Sequence, residues 1–391
     1  MDELFDAVVI GGGPGGSVAA RSIAAAGYSV ALLEKQAFPR ETLCGEFLSF
    51  EVVRMITAMG LEREFRALLP NPLRTLTLLP ESNSPVRTSL GFTAYGVRRS
   101  VFDSMLLEAA SHAGVRLIQP AEVIAIEKDH RGFVVHYRNG REAGTCHGHW
   151  VVGAYGKRSP LDGRLGRMWA SVRTGYVGFK YHVPDGMIEN LGDDEIAIAF
   201  GPRIYCGVSR VGSRTATICA LHRREKGDMS TREHVRALAR ANPRFGLIVP
   251  PAVLDNLATM PVYGTASLFF GNREIVVNGI LMVGDAAGLI APLAGDGIGI
   301  AMEQGRLLGR LFAEMHPRPA DRESFAETYR RESALLFARR KRVALICQHI
   351  ALSEAMRPAL APFLSFTPGL LKAAIGATRG RTGKHETLAT P

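Results

Sequence analysis

Gly11, Gly13 and Gly16, followed by an acid at Glu34, form a set whose spacing suits a dinucleotide. The apolar run from Ala7 to Ile10 reads as a buried strand. Gly11 permits a tight turn after it, Gly13 lets the backbone approach a pyrophosphate, and Gly16 lets helix and strand pack closely. Pro14 and Gly15 lie in the same turn, and a helix from Ser17 to Ala26 aims its positive end at the phosphates. Glu34 ends a second strand, Val30 to Leu33, where its carboxylate can accept from the ribose hydroxyls of adenosine. An acid there disfavours a 2′-phosphate, so FAD or NAD is expected and NADP is not. Lys35, beside it, and Val123, in a strand expected from Ala121 to Lys128, join the cofactor-binding candidates. A glycine-rich turn in an ordinary β-α unit is the alternative, and the register of strand, helix, second strand and acid speaks against it.

A second glycine-rich stretch runs Gly284-Asp285-Ala286-Ala287-Gly288, then Pro292, then Gly295-Asp296-Gly297-Ile298-Gly299-Ile300-Ala301, and leads into a helix expected from Gly297 to His316. With the N-terminal set it resembles flavoproteins of the p-hydroxybenzoate hydroxylase superfamily, and its form is most similar to the geranylgeranyl reductase branch. The resemblance implies FAD, with Asp285 on the ribityl or pyrophosphate part. It also implies that backbone N–H groups of Gly297, Ile298 and Gly299 face the N1/O2 edge of the isoalloxazine. Reduced flavin carries negative charge there, which a helix N-terminus stabilises. Gly284, Pro292 and Gly295 are further cofactor-binding candidates in this stretch.

Two shorter matches lie between. Phe38 to Glu46 resembles the family loop with a Cys-Gly pair beside the flavin, which makes Cys44 and Gly45 contact candidates and Cys44 and Glu46 the candidate catalytic acids or bases. Arg99 to Leu106 resembles the R-x-x-F-D-x-x-L helix, whose arginine contacts FAD. Three departures matter. Where the hydroxylases show GADGxxS, Gly153 to Ser159 carries Tyr155 in place of the acid. The WxFP element of archaeal geranylgeranyl reductases is missing, and the corresponding region reads Tyr176-Val177-Gly178-Phe179-Lys180. The WxWxIP signature of tryptophan halogenases is also missing, which argues against halogenation. No second GxGxxG follows a strand, so NAD(P)H is expected only as a transient electron donor, and no CxxC supports disulfide chemistry.

The elements that must position these residues are an α/β set. The expected architecture is a Rossmann-type FAD-binding domain with an inserted antiparallel β-sheet substrate domain and a helical C-terminus. Residues 1–72, 96–160 and 270–315 make the discontinuous FAD-binding domain, 73–95 and 161–269 the substrate domain, and 316–391 a helical region with a flexible tail. Alternating strands are expected at 73–79, 86–94, 195–200, 205–211 and 215–221, and a helix from Arg99 to Ala113.

The chain has 391 residues and a net charge of +10, with its basic residues spread and no nucleic-acid-binding motif among them. An anionic substrate, an acyl carrier or a membrane surface suits that charge better than nucleic acid. Five scattered cysteines support neither a disulfide framework nor a metal site. The acidic first residues lead straight into a strand, so no signal peptide is expected and a cytoplasmic location is, with peripheral contact at the inner face of the membrane as an option. Val343 to Ala377, behind the basic run Arg339 to Arg342, is compatible with lying on a membrane or with capping the core. The functional expectation is an FAD-dependent oxidoreductase, leaning to NAD(P)H-dependent monooxygenation of a hydrophobic aromatic, polyketide or isoprenoid molecule. Its rival is C=C reduction with Glu46 or Cys44 delivering the proton, and a flavin-binding partner without turnover is the alternative from another class.

Overall fold

Apolar, β-branched runs build a parallel sheet in the spatial order Arg116–Ile118, Val30–Leu33, Leu4–Ile10, Glu142–Gly153 and Ile280–Met282. The computed structural model describes residues 3–81, 84–224, 227, 229–356 and 368–379. Val30–Leu33 and the second half of Leu4–Ile10 are buried on both faces, which is why they read as continuous apolar sequence and do not alternate. The hairpin Glu122–Lys128 and Phe133–Asn139 continues antiparallel from Glu142–Gly153, and Val276–Val277 closes the far edge. From Leu4–Ile10 the chain moves to one side, to Val30–Leu33, and later returns on the other as Glu142–Gly153. The strand order therefore reverses at Ile10, and the crevice at such a reversal is where doubly wound sheets bind ligands.

Helix Pro14–Ala25 rises from that crevice and packs along helix Gly297–Met315. Glycines permit the approach: a Cβ on Gly305 would lie 2.7 Å from the backbone nitrogen of Ala19, and one on Gly309 would strike Ser22. Gly15 meets Ala301, Ala19 meets Gly305 and Ser22 meets Gly309, so the two helices run parallel with their N-termini side by side. Trp150, Phe312, Phe325 and Tyr329 fill the core beneath them.

A second, curled sheet has the order Val262–Ala266, Tyr176–Pro184, Thr215–Arg223, Ile204–Arg210, Glu195–Gly201, Asn71–Leu79, Val86–Gly96 and Phe47–Leu48. It is antiparallel as expected, except that Glu195–Gly201 pairs parallel with Asn71–Leu79. Those strands are far apart in the chain, so no hairpin sets their relative direction. Three helices the sequence reading did not mark, Thr231–Ala241, Pro243–Ile248 and Pro251–Asn256, cover the outer face. Phe179, Tyr181, Val183, Cys206 and Ile218 pack there against Val235, Leu238 and Phe245. On the inner face Ile198, Phe200, Tyr205 and Leu221 meet Leu289 and the C-terminal residues Ala351, Leu371 and Ile375.

The C-terminal helices Arg322–Leu352 and Pro368–Ala377 thus cap the core with one side, as one of the two expectations for Val343 to Ala377 had it. Of that stretch 357–367 lie outside the described residues, as does 380–391, where the flexible tail was expected. Among the described residues no helix is long and apolar enough to cross a membrane.

Candidate active site

The crevice at Ile10 is lined by donors. Gly13 caps helix Pro14–Ala25 in extended conformation, and neither this helix nor Gly297–Met315 has a side-chain cap on its first turn. Two positive helix ends therefore lie together, and guanidinium nitrogens of Arg40 and Arg99 stand 3.7 and 3.9 Å from the point a Gly13 Cβ would occupy. Such a grouping favours an anion, and the pyrophosphate of FAD fits it. The glycines divide the work. A Cβ on Gly11, which has φ 106°, would strike the Ala154 carbonyl, and one on Gly16 would strike that of Gly11, whereas Gly13 faces the open crevice.

Glu34 is 3% exposed and accepts from the N–H groups of Gly12 at 2.7 Å and Gln36 at 3.0 Å. Its own carbonyl accepts from Ala121 N–H at 2.7 Å, which brings the strand of Val123 up to it, while Lys35 is exposed alongside. Arg99 forms a two-pronged bond to Asp103, both distances 2.6 Å. Burial disfavours its charge, but Asp103 outweighs that and holds the guanidinium protonated. Arg40 lies 3.4 Å from Asp103 and 3.7 Å from Glu34, tying both acids together. In the sequence Arg40 stands only as one residue of the Cys44 loop, with no local pattern that marks it for this role.

The late glycine stretch borders the same crevice. Gly284, at φ 64°, donates its N–H to Gln304 at 2.7 Å. Asp285 is ion-paired with Lys157 at 3.1 Å, and Lys157 also donates to the Leu43 carbonyl at 3.1 Å. Lys157, another residue without an assigned role in the sequence, thereby joins three loops: its own, that of Asp285 and that of Cys44. Tyr155, which replaces the family acid, is turned to Asp162 at 3.0 Å. Pro292–Ala294 makes one turn, Gly295 adopts φ 62°, and the buried Asp296 carboxylate holds Arg340 at 3.1 Å just before Gly297, Ile298 and Gly299.

The segment Leu43-Cys44-Gly45-Glu46 crosses the inner face of strand Tyr176–Pro184. Gly178 permits this, since a Cβ there would lie 2.7 Å from the Leu43 side chain. Alternation then puts Lys180 and His182 on the same face as Gly178. Glu46, fully buried and at φ 60°, accepts from Lys180 Nζ at 2.5 Å, His182 Nε2 at 2.6 Å and the Arg99 backbone N–H at 2.9 Å. Glu41 accepts from the same Lys180 at 3.1 Å and from Arg98 at 2.6 Å. Burial alone would raise both acids; His182 and Lys180 hold Glu46 below its ordinary value, and Lys180 and Arg98 hold Glu41 at about 2. Ligand atoms of Glu41, Glu46 and His182 lie within 4.8 Å of one another, as around a metal ion, but the Lys180 ammonium already supplies the cation between the two acids.

Cys44 is half-buried at the edge of this cluster, accepting the Glu46 N–H at 3.3 Å and lying beside Arg99. A Cβ on Gly45 would meet open space. Lys180, His182 and Glu41 were missed by the sequence reading. The apolar wall described above continues to the glycine loop, where Phe47 sits 3.1 Å from the position of a Gly295 Cβ.

Residues 5–341 match the family described as FAD binding domain. Among curated proteins, the chain is 26% identical over 327 residues to a menaquinone reductase of Mycobacterium tuberculosis strain H37Rv, covering 80% of this chain and 77% of that one. It is 26% identical over 331 residues to a digeranylgeranylglycerophospholipid reductase of Methanococcoides burtonii, covering 80% and 76%. Among solved structures, a geranylgeranyl bacteriochlorophyll reductase-like protein of Thermoplasma acidophilum superposes with a TM-score of 0.78 at 20% identity, covering 96% and 97% of the chains. A myxobacterial chondrochloren halogenase gives 0.72 at 22%, covering 96% and 91%. The chain belongs to the FAD-binding-domain family, within the p-hydroxybenzoate hydroxylase superfamily and with geranylgeranyl reductase-like relatives, and is an FAD-dependent oxidoreductase.

Proposed function

We propose that this protein reduces C=C bonds of a hydrophobic, isoprenoid-like molecule, with NAD(P)H as the transient electron donor. The observation that carries this reading is the buried Glu46, Lys180 and His182 cluster beside Cys44, on the sheet face that continues into an apolar wall. Bound FAD would supply hydride to one carbon of the double bond, and the other carbon then needs a proton from the protein. Gly13, Pro14, Gly15, Arg40 and Arg99 would hold its pyrophosphate, Glu34 its adenosine ribose, Asp285 its ribityl chain, and the first turn at Gly297, Ile298 and Gly299 its flavin edge.

Glu46 is an unsuitable direct acid, because its oxygens are taken by two cationic or N–H partners and one imidazole and it is held ionised. Its role is to orient Lys180 and His182. Cys44, half-buried beside Arg99, which borders the cofactor crevice, would pass the proton on, and His182, whose side chain is 13% exposed, links the cluster to the outside. The expectation from sequence leaned to oxygen insertion. The proton-bearing cluster favours reduction, as do the reductase names of the two curated relatives.

The test is anaerobic turnover in D2O, with NADPH and NADH each tried against menaquinone and a geranylgeranyl lipid. The expected product has gained two hydrogens at one double bond, one of them deuterium. A product that gains oxygen under air and nothing without it would establish monooxygenation instead.

A further inference from the structure

The helix Arg322–Leu352 has a second side that the core does not use. Arg331, Leu335, Arg339, Arg342, Ile346 and His349 are all exposed, and their spacing of three or four residues puts them on one stripe of about 27 Å. Leu335 is 76% and Ile346 61% exposed, large values for aliphatic side chains on a folded protein. The four consecutive bases are divided between the two sides. Arg340 turns inward to Asp296 and Glu303, and Lys341 to the Gly271 carbonyl, while Arg339 and Arg342 point out. No acid occurs from Ser333 to Ser353, and among the described residues Arg331, Arg339 and Arg342 form no ion pair with an acid. The acids next to the stripe are both engaged by other arginines, Glu332 by Arg310 and Glu327, one turn before Arg331, by Arg330. A shallow hollow of about 450 Å³ opens on this side between Arg331, Glu332, Leu335 and Leu336.

We infer that this stripe docks the protein on an anionic lipid surface. Unpaired arginines match the negative headgroups, and the aliphatic side chains between them are suited to entering the headgroup boundary, which a nucleic acid or an acidic protein face would not require. The chain's net charge of +10 acts in the same sense at longer range. The opposite side of the same helix contributes Ala351, and its flank Leu345 and Leu352, to the apolar cluster on the sheet's inner face, so the docked helix lies between the lipid and the candidate site. The inference does not depend on which reaction the site performs.

The experiment is flotation of the full FAD-loaded chain with vesicles of phosphatidylcholine alone and of phosphatidylcholine with phosphatidylglycerol, followed by flavin absorbance, which also reports that each variant is folded. Binding is expected to the phosphatidylglycerol vesicles only, and to fall with added salt. The double variants R339S/R342S and L335S/I346S are each expected to lower affinity about tenfold or more, with FAD content kept. Arg236→Ser, on the far helix Thr231–Ala241, should leave binding unchanged. Equal binding to both vesicle types, binding untouched by the two double variants, or no vesicle binding would each overturn the inference. So would a dimer in solution that the same variants dissolve, or duplex DNA binding that ignores L335S/I346S.

Discussion

At the scale of single residues, the site depends on charges held out of water by near neighbours. Lys180 is fully buried between Glu46 and Glu41, and removing one member of such a group leaves the others uncompensated. Lys180→Met should therefore lower stability by about 3 kcal/mol or more, read as a fall in the denaturation midpoint, with the variant still able to bind FAD. Glu41 gives a pH signature. Its carboxyl is lowered from 4.5 to about 2, so it contributes stability above pH 4.5 that is lost as the pH falls toward 2. The stability difference between wild type and Glu41→Gln should accordingly be full at neutral pH and close across that acid window. Glu34→Ala should weaken FAD by about tenfold or more, because a charge-assisted bond to the ribose is worth roughly 1.5 to 3 kcal/mol. Fluorescence titration of apoprotein measures this, and retention of FAD at wild-type affinity would remove Glu34 from the ribose.

Among elements, the decisive contact is between helices Pro14–Ala25 and Gly297–Met315. Their parallel packing brings two N-terminal ends to the crevice, and it depends on Gly305 and Gly309, which have no room for a side chain. Gly305→Val should separate the helices and lower both stability and FAD affinity, the first by about 2 kcal/mol or more, as expected for overpacking against backbone. Gly297→Val leaves the helix contact intact, since the nearest atom to its Cβ position is an Ile290 methyl at 3.5 Å. Any loss of FAD in that variant with an unchanged melting temperature would report on the cofactor edge alone. The pair separates a fold effect from a site effect.

For the whole molecule, the C-terminal helices complete the inner face of the curled sheet. Leu371 and Ile375 are buried there, and Arg379 reaches the carbonyl of Ala294 at 3.0 Å, in the loop that leads to Gly297. Ending the chain before Pro368 should cost about 3 kcal/mol or more from the exposed apolar side chains and also loosen FAD through the freed loop. Thermal unfolding and flavin release measure the two effects together. A truncated protein with unchanged melting and unchanged FAD would show that this segment is dispensable to both.

What the sequence by itself determined was the backbone chemistry of the nucleotide crevice. Gly11, Gly13 and Gly16 are required by local turn and packing geometry within one strand-helix unit, and Glu34 follows at a spacing set by that unit, so their meaning survives in a linear reading. Five strands of the second sheet were legible for the same reason, since alternation is a local property, whereas Tyr176–Pro184, Val262–Ala266 and Phe47–Leu48 were not marked. The Glu46, Lys180 and His182 cluster was not. Glu46 and Lys180 are 134 residues apart, and nothing local marks Lys180 as buried and paired, because a lysine in an apolar strand reads as an edge or a snorkelling charge. Only the curl of the sheet and the passage of the Cys44 loop over Gly178 bring them together. The parallel joint between Glu195–Gly201 and Asn71–Leu79 and the division of Arg339 to Arg342 between core and surface were likewise decided by the tertiary structure, where a single turn of helix carries both a buried ion pair and solvent-facing charges.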